Sequence, residues 1–263
     1  MSTPGRRAAV ITALVGALVL TGCTGAGDGA VENGTADGPS GELTIFAAAS
    51  LSGAFDELST RFEEQHPDVD VLPISYDGSS VLATQLIEGA SADVFASADE
   101  RNMTKVIDAG LTPDAEAFAT NTMQIAVAPD NPDDIDSLAS LAEDDLLVVM
   151  CAAEVPCGAA AHTLLDAAQI AVTPVSEEQN VTAVLAKVKS GEADAGLVYR
   201  TDIAAAGDAV DAVDIEGAEQ ATNVYPLSAL TDAANPEAAE AFVAFVLSDA
   251  GQAVLRDFGF GAP

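Results

Sequence analysis

Positive charge is what this sequence has least of. Its 263 residues carry 9 Lys+Arg against 42 Asp+Glu, a formal net charge of −33. Nucleic acid and anionic membrane surfaces are bound through basic patches, so neither is expected as a partner. The same reasoning argues against an anionic ligand, an expectation that the motifs below put under test. There are two His and three widely separated Tyr. Capture of ferric iron, which needs clustered Tyr, His and carboxylate groups, is therefore disfavoured. The chain contains no GxSxG, no HExxH, no P-loop and no GxGxxG in strand–turn–helix context, so a secreted hydrolase ranks last among its functions. Cys157 and His162 are five apart, a spacing that does not bring them face to face on a helix. No catalytic residue is read here and the chain is not expected to be an enzyme.

The absences stop short of disorder. Hydrophobic residues make up 49 % of the chain, enough to fold despite the charge. The length sets one or two domains. Met1 to Arg7 carries Arg6 and Arg7, and residues 8–20 carry no charge. A basic start, a short apolar run and a small-residue site read as an export signal. The run is too short for a membrane-spanning helix, which needs about 20 residues. It ends in Leu20-Thr21-Gly22-Cys23, which resembles the lipobox of bacterial lipoproteins. Residues 1–22 are thus expected to be a lipoprotein signal peptide, with Cys23 lipidated. Losing Arg6 and Arg7 and no acid would bring the charge to −35. Residues 23–41 are rich in Gly and poor in apolar groups, and read as a flexible tether. Its 17 residues from Thr24 to Ser40 would span about 21–25 Å as a coil.

From Leu43 onward short apolar runs alternate with helical spacing. Leu51, Ala54, Phe55, Leu58 and Phe62 mark one helix face, closed by His66-Pro67. Strands are expected at 43–47, 69–74, 93–96, 123–128, 146–150, 196–199 and 224–230, the last interrupted by Pro226. Helices are expected at 81–88, 103–108, 158–168, 180–189, 237–247 and 250–258. This pattern predicts α/β architecture with mostly parallel sheets, in two lobes around a cleft. Ligands in such folds lie beyond the carboxyl ends of strands, at helix starts.

Four such junctions are small, polar or glycine-bearing: Ala48-Ala49-Ser50, Asp77-Gly78-Ser79-Ser80, Pro156-Cys157-Gly158 and Gln179-Asn180-Val181. A helix start offers unpaired N–H groups and a partial positive charge, so it binds oxyanions without Lys or Arg. Ser and Asn are also ordinary helix caps. Asp77 reads as a turn residue bonding its own backbone, or as an acceptor for a protonated anion. Tyr76 and Tyr225 read as packing residues with wet hydroxyls.

A resemblance sharpens these junctions. Phe46-Ala47-Ala48-Ala49-Ser50-Leu51, Gly78-Ser79-Ser80-Val81-Leu82-Ala83 and Ser91-Ala92-Asp93-Val94-Phe95-Ala96-Ser97-Ala98-Asp99 resemble motifs of the periplasmic molybdate-binding proteins of ABC importers. So do Val155-Pro156-Cys157-Gly158, Asn180-Val181, Gly196-Leu197-Val198-Tyr199 and the closing Phe258-Gly259-Phe260. The likeness runs through residues 42–263 in order. It implies a two-lobed type II periplasmic binding protein fold with a central cleft and hinge strands. Lobe 1 would be 42–122 plus 225–263, and lobe 2 would be 123–224. It implies hydroxyl ligands at Ser50, Ser79 and Tyr199, and backbone N–H ligands at Ser50, Ser79, Cys157 and Val181. The family commonly has alanine at the position of Cys157, a change that leaves a backbone donor in place. Molybdenum would enter only as the oxyanion, with no protein–metal bond and no cofactor. Tungstate is nearly the same size and is expected to bind too. Sulfate or phosphate on the same fold is the alternative. The partners implied are ABC permease subunits and, through Cys23, the outer face of the cytoplasmic membrane, with the receptor itself a monomer. In that oxidising compartment Cys151 and Cys157 are expected to pair.

Overall fold

The computed structural model describes residues 38–263. The expected signal peptide, Cys23 and most of the expected tether lie outside the described residues. Gly41, placed in the tether by sequence, instead opens a strand, and its N–H donates to the Asp68 carbonyl at 2.7 Å.

The chain begins with β1 (Gly41–Leu43) and β2 (Ile45–Ala48). A single 3₁₀ turn, Ala49–Leu51, leads into α1 (Ser52–Gln65). The expected apolar stripe of α1 is buried: Ala54, Phe55, Leu58 and Phe62. β3 (Val69–Val71) and β4 (Ser75–Asp77) replace the single strand expected at 69–74. Pro73 lies between them, and without an N–H it cannot continue a ladder. The two pieces join different sheets. Next come α2 (Ser79–Ile87), β5 (Val94–Ala96), α3 (Glu100–Asp108) and β6 (Glu116–Asn121). Tyr76 and Asp77, expected in a turn, close β4.

Thr122 alone separates β6 from β7 (Met123–Val127). β8 (Val148–Cys151), α4 (Pro156–Ala168), β9 (Ser176–Glu178) and α5 (Val181–Ser190) follow. Then come β10 (Ala195–Tyr199), α6 (Arg200–Ala206) and β11 (Asp211–Asp214). β12 (Asn223–Ala229), α7 (Pro236–Leu247) and α8 (Asp249–Asp257) complete the chain.

Two five-stranded sheets result, in the orders β4-β2-β5-β12-β6 and β11-β7-β10-β8-β9. Each half has its own core. Phe55, Phe62, Phe118 and Phe242 pack edge-on or tilted beneath the first sheet. Aliphatic side chains such as Ile125, Val149, Val184 and Leu197 fill the second. Both sheets are mixed, which corrects the mostly parallel expectation. β12 runs antiparallel to β5 and β6, and β7 runs antiparallel to β10 and β11. The single residue between β6 and β7 carries the chain from the first sheet to the second. Pro226 sits at a register shift in the β12–β6 ladder, between Tyr225 and Pro226, where a missing donor is tolerated. β6, β9, β11 and α6 had no clear sequence signal, being short or half-exposed.

Among the described residues no single helix is long and apolar enough to cross a membrane.

Candidate functional site

Four helix starts meet between the two sheets. The first half contributes Ala48, Ala49, Ser50, Asp77, Gly78, Ser79 and Ala98. The second contributes Val155, Pro156, Cys157, Asn180, Val181 and Tyr199. All five residues expected as ligands, Ser50, Ser79, Cys157, Val181 and Tyr199, therefore line one cavity. Its volume is about 10 Å³, near the room one water-sized sphere requires.

The local structure explains what each residue offers. Ser79 is the first residue of α2, Cys157 the second of α4, and Val181 the first of α5. N–H groups at these positions have no intrahelical partner. Pro156 at the start of α4 is preset for a helix and has no N–H to lose. The Ser79 hydroxyl accepts the Ala98 N–H at 2.9 Å, which leaves its own proton to give. The Tyr199 hydroxyl is buried and, among the described residues, has no partner within hydrogen-bond geometry. Burial pushes its pKa well above the usual phenol value, so it stays protonated. An unpartnered buried hydroxyl costs about 1–3 kcal/mol, and here it belongs to a residue on the cavity wall. Ser80 Oγ is also unpartnered, but it does not line the cavity.

Cys151 and Cys157 form a disulfide with Cα atoms 5.7 Å apart. It closes the loop that carries the Cys157 N–H, and such a short loop contributes about 2 kcal/mol on the chain-entropy model. With its sulfur in this bond, Cys157 has no thiol to act as a nucleophile. Gly158 packs against the same loop: a Cβ there would lie 1.9 Å from the Ala152 carbonyl oxygen.

The halves touch at the cavity's edge. Asp77 Oδ1 accepts its neighbour Gly78 N–H at 2.7 Å, as the turn reading expected. It also accepts Asn180 Nδ2 from the other half at 2.9 Å. Asn180 meanwhile caps α5, its Oδ1 accepting the Ala183 N–H. Arg101 donates across to the Glu154 carbonyl at 2.7 Å.

Sequence reasoning missed the groups behind the wall. Tyr225, expected to have a wet hydroxyl, is fully buried, with its hydroxyl 3.0 Å from Ser50 Oγ. Asn121 Nδ2 lies 3.4 Å from the same hydroxyl. Tyr76 is half-buried and gives its proton to Asp56. No spacing rule links Ser50 to a tyrosine 175 positions away.

Asp202, also missed, is buried and accepts the Tyr199 N–H at 2.9 Å. Burial raises its pKa to about 7, opposed by that N–H. An unfolded Asp titrates near 3.9. The folded state therefore holds the extra proton between about pH 4 and 7, and stability falls as pH rises through that window. Asp202→Asn keeps an acceptor for the N–H and removes the titration. Its melting temperature is expected to gain on the wild type from pH 4 to 7, with a constant lead above. Parallel melting profiles across that range would refute the assignment.

Residues 43–261 match the family model described as bacterial extracellular solute-binding protein. The chain is 42 % identical to the molybdate-binding protein ModA of Mycobacterium tuberculosis over 259 residues, covering 96 % of this chain and 97 % of the relative. The periplasmic molybdate-binding protein of Azotobacter vinelandii aligns at a TM-score of 0.71 and 21 % identity, over 84 % of this chain and 99 % of that one. The sulfate-binding protein SubI of M. tuberculosis aligns at 0.71 and 18 % identity, over 83 % and 86 %. These two structures share the fold. By the family match and the M. tuberculosis relative together, the chain belongs to the bacterial extracellular solute-binding proteins, receptors of transport systems rather than enzymes.

Proposed function

We propose that this chain captures molybdate, and tungstate with it, outside the cytoplasm and delivers it to an ABC importer. The observation that carries the reading is the donor set. The five expected positions line one cavity, to which they would present hydroxyl and N–H groups. Molybdate is fully ionised near neutral pH and offers acceptors only, so such a ring leaves nothing unpaired. The relative at 42 % identity is a molybdate-binding protein, which supports the same choice. Sulfate is also fully ionised, so polarity does not separate the two and cavity size must.

A tetrahedral oxyanion is larger than a water molecule, so the walls must part to admit it. We take the two sheets, with their packed helices, as the lobes, 42–122 plus 225–263 and 123–224. Hinge bending would occur at Thr122 and at Thr222 just before β12, where the chain passes between sheets. The surface charge acts at long range and is largely screened beyond about 8 Å in physiological salt. It would slow anion capture at low ionic strength without forbidding tight binding.

Thermal melts test the ligand. At 100 times Kd a ligand adds about 2.7 kcal/mol, or about 5–10 °C for a chain of this size. Molybdate and tungstate are expected to give that shift, with sulfate and phosphate giving little. A shift with phosphate and none with molybdate would refute the reading. The anchor at Cys23 is proposed from the lipobox alone. Cys23→Ala should move the protein from the membrane fraction to the soluble one, and an unchanged distribution would exclude lipidation there.

A further inference from the structure

The polarity of the cavity is set by residues that do not line it. We propose that Asn121 and Tyr225 lock Ser50 as a hydrogen-bond donor toward the cleft, and so select fully ionised oxyanions over those that keep a proton. This rests on the cavity being an oxyanion site and says which oxyanions it takes.

The direction of each bond follows from its neighbour. Asn121 Oδ1 accepts the Thr122 N–H at 3.0 Å, which fixes the amide's orientation. Its Nδ2 therefore faces Thr201 Oγ1 at 2.8 Å and Tyr225 Oη at 3.4 Å, and an amide nitrogen only donates. Among the described residues the Tyr225 hydroxyl has one other partner, Ser50 Oγ at 3.0 Å. The Tyr199 hydroxyl lies beside it, but among the described residues Ser50 Oγ is the acceptor within hydrogen-bond geometry, so the buried phenolic proton is given to Ser50. Ser50 then spends a lone pair on Tyr225 and keeps its own proton for the cleft.

Ser79 reaches the same polarity through the backbone, because the Ala98 N–H donates to it. Among the described residues the Tyr199 hydroxyl has no partner within hydrogen-bond geometry. Three hydroxyls thus point protons into one cavity. Burial holds the Tyr225 proton well above the ordinary phenol range, so the arrangement persists at physiological pH. Tyr225 and Asn121 are positioning residues: they act through Ser50. Asp77 is the one carboxylate on the wall, and its Oδ1 already carries two donors.

Molybdate and hydrogen phosphate are both dianions at pH 8, and only phosphate carries a proton. Their affinity ratio therefore cancels charge and reports polarity. The experiment measures Kd for molybdate, sulfate and phosphate at pH 8 by calorimetry on the full chain. Tyr225→Phe removes one oxygen and keeps the ring packing on Phe118, Tyr199 and Phe260. Ser50 could then turn a lone pair to the cleft. The molybdate-to-phosphate preference is expected to fall about tenfold, through loss of molybdate affinity with phosphate unchanged. Asn121→Asp would accept the Tyr225 proton, reverse the relay and lower the ratio further.

Equal losses for both anions in Tyr225→Phe, or no loss, would overturn the proposal. Should Asn121→Asp fail to fold, Tyr225→Phe decides alone. A wild type that prefers sulfate to molybdate would refute the molybdate reading, and the same ratio is then read with sulfate. A wild type that prefers phosphate would overturn the polarity scheme itself.

Discussion

Alanine at both Ser50 and Ser79 is expected to weaken molybdate binding by about two to four orders of magnitude. Each hydroxyl would donate to a dianion, and a hydrogen bond to a charged group contributes about 1.5–3 kcal/mol, which doubles for two. Both hydroxyls would act on one ligand, so their losses couple, and the doubled figure is the additive reference against which the double variant is read. Each replacement also strands a partner. Without Ser79 the Ala98 N–H loses its acceptor, and without Ser50 the Tyr225 hydroxyl does. The ligand-free melt should therefore drop by several degrees, and binding must be measured well below it. Val181→Ala is the control. Its contribution is a backbone N–H, which alanine retains, so affinity should change only a few-fold. Calorimetry on the three proteins checks this. A double serine variant that still binds at the wild-type level would remove this cavity as the site.

Much of this site could be read from sequence because its chemistry lies in backbone positions that helix starts announce. Ser79, Cys157 and Val181 each follow a strand and begin a helix, and the small residues around them permit close approach. The α1 stripe was equally readable, since Phe55, Leu58 and Phe62 follow a period of 3.6. Other parts were opaque for stated reasons. Pro73 hid the division of one apolar run between two sheets. β6 and β12 pair antiparallel across about a hundred intervening residues, and nothing local encodes that partnership. Tyr225 was misjudged because exposure of its hydroxyl depends on Ser50 and Asn121, which only the fold brings near. Asp202 looked like one surface acid among 42, until the fold buried it beneath Tyr199. The opening expectation against anionic ligands rested on net charge. It describes the surface, whereas the proposed site would work through hydroxyls and N–H dipoles over a few ångströms.

Gly78→Ala should reduce molybdate affinity about ten- to a hundredfold while leaving the fold of each half intact. Gly78 has φ −59° and ψ 136°, a conformation alanine adopts freely, so the backbone is not strained. The added Cβ would instead lie 2.0 Å from the Gln179 carbonyl oxygen and 3.2 Å from Val155 Cγ1. Both atoms belong to the other half. The conflict therefore exists only while the halves touch, and opening relieves it. Overpacking of this kind costs about 1–3 kcal/mol, charged against the closed form alone. Apparent affinity falls by the fraction of protein still able to close, which gives the stated range through the usual conversion. Gly158→Ala supplies the contrast. Its Cβ would meet the Ala152 and Cys151 carbonyl oxygens, in its own half, where no hinge motion separates them. That variant should lose stability first. Melting curves and molybdate titrations on both variants distinguish the cases. If Gly78→Ala lowers the ligand-free melt as much as Gly158→Ala does, the contact at Gly78 is part of a rigid core and closure is not what it limits.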